Sequence, residues 1–177
     1  MSAPQIMLLI INVFGGAAVI SSYVQGFVSH PGGANVLWGN ITGQVRSLYF
    51  VSMLLSALGY FFFIYYILFR LNPPDVRIAG SAGYEVFFVT ITGMLLFSAL
   101  WMPFSFSYVD APHPGTWIAI RSVLFLVGFS SCALLWALIS LNIKEPAVAY
   151  WLAVAGSGYF AFHTLILDAF LWPALYK

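Results

Sequence analysis

Five apolar runs, each long enough to cross a lipid bilayer, dominate this chain and leave little sequence between them. They extend from about Ile6 to Val28, Leu48 to Phe69, Val86 to Phe106, Trp117 to Leu141 and Val148 to Trp172. A helix needs about 20 consecutive, mostly apolar residues to cross the hydrocarbon core. Each run meets that length, and the only charged residues inside them are Arg121 and Asp168. Composition agrees: 62% of residues are hydrophobic and 6% charged, against roughly 25% charged in soluble domains. Strands of a membrane barrel would alternate apolar and polar residues over about ten positions. The run Tyr60-Phe61-Phe62-Phe63-Ile64-Tyr65-Tyr66 does not alternate. The expected fold is therefore all-α: an integral membrane bundle of five transmembrane helices, forming a single domain over residues 1–177.

The segments between the runs carry turn residues where helices should stop. These are Ser29-His30-Pro31-Gly32-Gly33, Asn72-Pro73-Pro74-Asp75, Asp110-Ala111-Pro112-His113-Pro114-Gly115 and Asn142-Ile143-Lys144-Glu145-Pro146. The N-terminus lacks the basic flank and small-residue cleavage site of a signal peptide, so the first run reads as a retained helix. Arg70, Arg77 and Lys144 fall on the side of the N-terminus, while Arg46, Lys177 and Arg121 lie toward the other. The positive-inside rule thus places the N-terminus in the cytoplasm. A net charge of +1 spread over the chain offers no basic stripe, so nucleic acid is not an expected partner. The single Cys132 provides neither a disulfide framework nor a thiolate cluster.

Ionisable side chains at membrane depth are expensive, and each is a site candidate whose partner must be sought. Arg121 lies about one turn into the fourth run and Asp168 about one turn from the end of the fifth. Antiparallel packing puts both at similar depth, where they can form an ion pair, staple two helices, or leave Arg121 snorkelling to the surface. His163 is five residues before Asp168, and ordinary helix geometry points the two more than a quarter-turn apart, so a direct pair is not expected. His163 can hydrogen-bond a neighbouring helix, ligate a metal or tetrapyrrole, or relay a proton. His30 and His113 show no metal-ligand spacing, and no metal site is expected. Trp38, Trp101, Trp117, Trp151 and Trp172 fall near run ends, as an interfacial belt would; stacking on a ligand is the other reading. Ala153, Ser157 and Ala161, with Gly15 and Gly16, read as close helix contacts.

No paired carboxylates, phosphate loop or nucleophile with an adjacent base can be assembled, so catalysis has little support. A shaped apolar cavity with a few polar groups, sufficient for binding or transport, asks less of such a chain.

Leu100-Trp101-Met102-Pro103-Phe104-Ser105-Phe106 resembles the Trp-x-Pro-x-Phe-Phe segment of the TspO/MBR family of tryptophan-rich sensory and translocator proteins. Leu48-Tyr49, with Met53 following, resembles the Leu-Tyr-x-x-Met start of that family's second helix. The five spans, the aromatic richness and the long first loop are similar too. The resemblance implies a cavity among five helices, closed by the first loop, that binds a large apolar ligand such as a porphyrin, haem or sterol, in a protein that often dimerises. By position, Trp38, Asn40, Trp101, Pro103, Arg121, His163 and Asp168 are the candidate lining residues. Two other readings stand beside it. One is a small structural or accessory subunit of a larger membrane complex; the other is a membrane enzyme or proton-coupled carrier using Arg121, His163 and Asp168.

Overall fold

The computed structural model describes residues 1–176, and its framework is five long apolar helices. They are α1 (Ala3–Ser29), α3 (Gly43–Phe69), α4 (Glu85–Asp110), α5 (Pro114–Ile139) and α6 (Ala147–Leu175), with a short α2 (Gly33–Trp38) in the first loop. No strand is present among the described residues; two isolated bridges, Ile78 to Ala82 and Ile78 to Leu141, are the only extended pairing. The chain is a multi-pass membrane protein by the length and apolarity of these helices. The apolar runs reappear as these spans, mostly lengthened by a turn at one or both ends.

Local sequence explains the ends. At the start of α1 the Gln5 side chain reaches back to accept the Ser2 backbone N–H at 2.7 Å, and Pro4 occupies the first turn, where its missing N–H costs nothing. At the start of α5 the His113 ring caps the helix by accepting the Gly115 N–H at 3.0 Å, with Pro114 at the first helical position. The long first loop holds a short helix of its own. Gly32, at φ +83°, turns the chain into α2, and Gly39, at φ +52°, turns it out again against the Tyr176 backbone.

Around the bundle the order is α1, α4, α5, α6, α3. The ring closes poorly, because α1 and α3 meet only sparingly while every other neighbouring pair packs extensively. Only Leu8 and Gly26 of α1 are fully buried, so most of this helix faces outward from the bundle. Elsewhere small residues let backbones meet. A Cβ on Gly59 of α3 would lie 2.6 Å from the Gly156 carbonyl oxygen of α6, and one on Gly15 would lie 2.7 Å from Leu95. Gly16 has open space beside it and makes no such contact. Ala153, Ser157 and Ala161 are buried, as helix-contact positions should be.

The two ends of the bundle differ. At the N-terminal end, Gln5 Nε2 donates to the carbonyls of Leu68 and Leu71 at 2.8 and 3.1 Å. Asn142 accepts the Arg77 N–H at 2.7 Å and donates to the Asp75 carbonyl at 3.0 Å. Val76 and Ile78 are inserted beneath this stitching with no exposure. Lower in the same seam, Tyr60 of α3 donates to Asn12 of α1 at 2.5 Å. The end carrying α2 has no such plug between α1 and α3, and the space between those helices is a cavity.

Candidate functional site

The cavity measures about 400 Å³, within the range of small-molecule sites. Tyr23 and Phe27 of α1 form one wall and Tyr49, Phe50 and Met53 of α3 the facing one. Ser98, Trp101 and Met102 of α4 and Leu124 and Val127 of α5 close the back, and α2 contributes Leu37 and Trp38 as a cover. The cover is tied down: Trp172 Nε1 of α6 donates to the Leu37 carbonyl at 3.0 Å. Arg46 stands beside this cover, its guanidinium 5.2 Å from the Trp38 ring and 5.7 Å from that of Phe50, and donates to Asn35 Oδ1 at 3.0 Å.

Phe27, Phe50 and Met53 line the cavity and are also 40, 46 and 38% exposed at the outer surface. The cavity therefore communicates sideways, between α1 and α3, with whatever surrounds the bundle.

Three of its polar lining residues, His163, Thr164 and Asp168, come from one stretch of α6. Residues Phe162–Leu171 form a π-helix, in which each N–H bonds five residues back rather than four. The widened turn brings residues five apart onto one face, so His163 and Asp168 converge: His163 Nε2 lies 3.6 Å from Asp168 Oδ2. This overturns the expectation that they diverge, which assumed ordinary helical pitch. Neighbouring side chains support the wide turn. The Tyr49 hydroxyl donates to the Leu167 carbonyl at 2.5 Å, and Thr164 donates to Ser131 Oγ of α5 at 3.1 Å. Such stretches recur at functional sites.

Behind His163 the hydrogen bonds form a directional chain. Tyr159 donates to Ser52 Oγ at 3.0 Å, and Ser52 Oγ meets His163 Nδ1 at 2.8 Å. With the Ser52 hydroxyl donating, the neutral ring carries its proton on Nε2, aimed at Asp168. His163 is thus both a helix-to-helix hydrogen-bonding group and a lining residue of the cavity.

Four of the seven residues singled out from sequence meet at the cavity: Trp38, Trp101, His163 and Asp168. Three do not. Arg121 makes no ion pair with Asp168. Its guanidinium lies 5.6 Å from the Phe125 ring, and Phe125 in turn meets Phe170 edge-on at 5.0 Å. Depth alone suggested the pair, but Asp168 lines the cavity and Arg121 does not. Asn40 follows α2 and is exposed, outside the cavity. Pro103 faces the other side of α4, in a surface depression with His30 and Asp110.

The tryptophans divide between inward and outward positions. Trp38, Trp101 and Trp172 turn inward to the cavity, with Trp101 and Trp172 edge-on at 5.9 Å. Trp117 backs Trp172 at 6.0 Å, whereas Trp136 and Trp151 face outward.

Tyr23, Arg46, Tyr49, Ser98, Thr164 and Trp172 also line the site without being among those seven. Arg46 and the Tyr49 that follows Leu48 lay in view as the start of the second run; Tyr23 and Thr164 give no signal above ordinary span residues.

Among the described residues no group of three or more His, Cys, Asp or Glu side chains is placed to hold a metal ion. None of the protein-family models, characterised proteins or solved structures compared with the chain matches it.

Proposed function

We propose that this bundle binds a large apolar ligand, of porphyrin or sterol kind, in the cavity between α1 and α3, for sensing or for passage across the membrane. The reading follows the resemblance of Leu100–Phe106 and Leu48–Met53 to the TspO/MBR family. One observation carries it: an aromatic-walled space of about 400 Å³ inside a membrane bundle, covered by the first loop and supplied with few polar groups. Ligand pockets have this character, apolar walls with a small number of placed polar groups.

The exposed lining residues Phe27, Phe50 and Met53 set the route. A ligand dissolved in the bilayer enters between α1 and α3 without crossing water. Orientation follows the loop charges, with the N-terminal face, bearing Arg70, Arg77 and Lys144, in the cytoplasm. The protein acts as a binding or carrier module rather than an enzyme.

Titrating the protein in lipid nanodiscs with protoporphyrin IX while following tryptophan emission tests this. Saturable quenching at micromolar ligand, weakened by Trp101→Ala, is expected. Quenching that rises linearly, as in empty nanodiscs mixed with free tryptophan, would contradict it.

A further inference from the structure

Asp168 is the one acidic side chain that lines the cavity, and its side chain is 31% exposed. His163 Nε2, at 3.6 Å, is beyond hydrogen-bonding distance. The described residues make no hydrogen bond to the carboxyl, and Arg121 is turned to Phe125. A carboxyl held in apolar surroundings without a donor is costly, and the chain itself leaves it so.

The surroundings specify what completes it. Tyr23 and Trp101 lie 5.8 Å apart with tilted rings, and Trp101 meets Trp172 at 5.9 Å; all three line the cavity with Asp168. Aromatic faces attract cations, and a carboxylate accepts most strongly from a charged donor. Arg46 stands at the covered mouth, where it disfavours a cationic end and leaves the carboxyl as the seat for one.

We propose that Asp168 and the aromatic rings around it form the seat of a protonated amine, so that among large apolar ligands those carrying an ammonium group are preferred, with that group inward and the apolar body toward Trp38. The proposal rests on the cavity being a ligand site and names the ligand's charged group. The ammonium N–H donates to Asp168, while the Tyr159–Ser52–His163 chain holds the imidazole that flanks it.

The test uses three probes with one fused-ring body: 1-pyrenemethylamine, protonated at neutral pH, 1-pyrenemethanol and 1-pyrenecarboxylate. Each is titrated into full-length protein in nanodiscs, read by energy transfer from tryptophan, and corrected for partition into protein-free nanodiscs. The amine should bind at least roughly tenfold tighter than the alcohol, the difference a charge-assisted hydrogen bond supplies, and the carboxylate weakest. Asp168→Asn should erase the difference between amine and alcohol while leaving alcohol affinity in place, and Asp168→Glu should retain part of it. Equal binding of amine and alcohol by the native protein overturns the proposal and leaves the apolar-ligand reading standing. So does an amine preference that survives Asp168→Asn in protein with unchanged helical circular dichroism. Saturable binding by none of the three overturns both.

Discussion

His30 and His163 show how residue environment, more than residue type, decides what an imidazole does. Both nitrogens of His30 face acceptors: Nδ1 lies 3.0 Å from the Gly26 carbonyl, and Nε2 lies 3.2 and 3.1 Å from the two Asp110 oxygens. Only the protonated ring donates from both, and it also stacks on Phe106 at 4.2 Å. The hydrogen bond to Asp110, then that to Gly26, raises the His30 pKa above its ordinary value. The pair therefore stabilises the folded protein fully below the unfolded histidine value of about 6.5, and that contribution fades as pH rises through the higher folded value. Melting curves from pH 5.5 to 8.5 should show a fall in midpoint across that upper window, and Asp110→Asn should flatten it. An unchanged profile in the variant would remove the pair from the stability of the α1–α4 end. The sequence hid this contact because 80 positions separate the two residues, and nothing in either loop marks the other.

At the scale of the element, periodicity carries most of the information and fails where the helix departs from it. The apolar runs place all five spans, because a hydrocarbon solvent leaves helices few alternatives. The π-helix of α6 is invisible to that reasoning, since Phe162–Leu171 is as apolar as an ordinary span and its wide turn is stabilised from outside, by Tyr49 and Ser131. A pairing argument built on ordinary pitch therefore separates His163 from Asp168, which the structure brings together. The Arg121–Asp168 pair, suggested by depth alone, is a separate expectation and does not form, Arg121 lying over Phe125 instead. The close packing of α3 on α6 is similarly local to two positions. Gly59→Ala or Gly156→Ala places a methyl within 2.6 or 2.7 Å of the opposing carbonyl oxygen, and such overpacking costs typically about 1–3 kcal/mol. Gly16→Ala, with open space beside it, should stay within about 0.5 kcal/mol of the native protein. Thermal or denaturant unfolding in a fixed detergent checks the contrast, and equal effects at all three glycines would contradict the tight crossing.

For the whole molecule, asymmetry between its two ends is what makes a site possible. The N-terminal end is stitched by Gln5, Asn12 and Asn142, while the end under α2 leaves α1 and α3 apart. Trp38, Arg121 and Asp168 all lie toward the α2 end, and of these Trp38 and Asp168 line the cavity. The seam between α1 and α3 was not legible, because which helices are neighbours depends on side-chain shapes along five similar apolar surfaces. The most direct measurement is photolabelling of the protein in nanodiscs with a diazirine-bearing sterol, followed by peptide mapping. Label is expected in the segments holding Tyr23–Phe27 and Trp38–Met53, and excess protoporphyrin IX should displace it. Label spread over outward residues such as Phe14 and Val89, undiminished by competitor, would show that the bundle offers bilayer surface and no binding cavity.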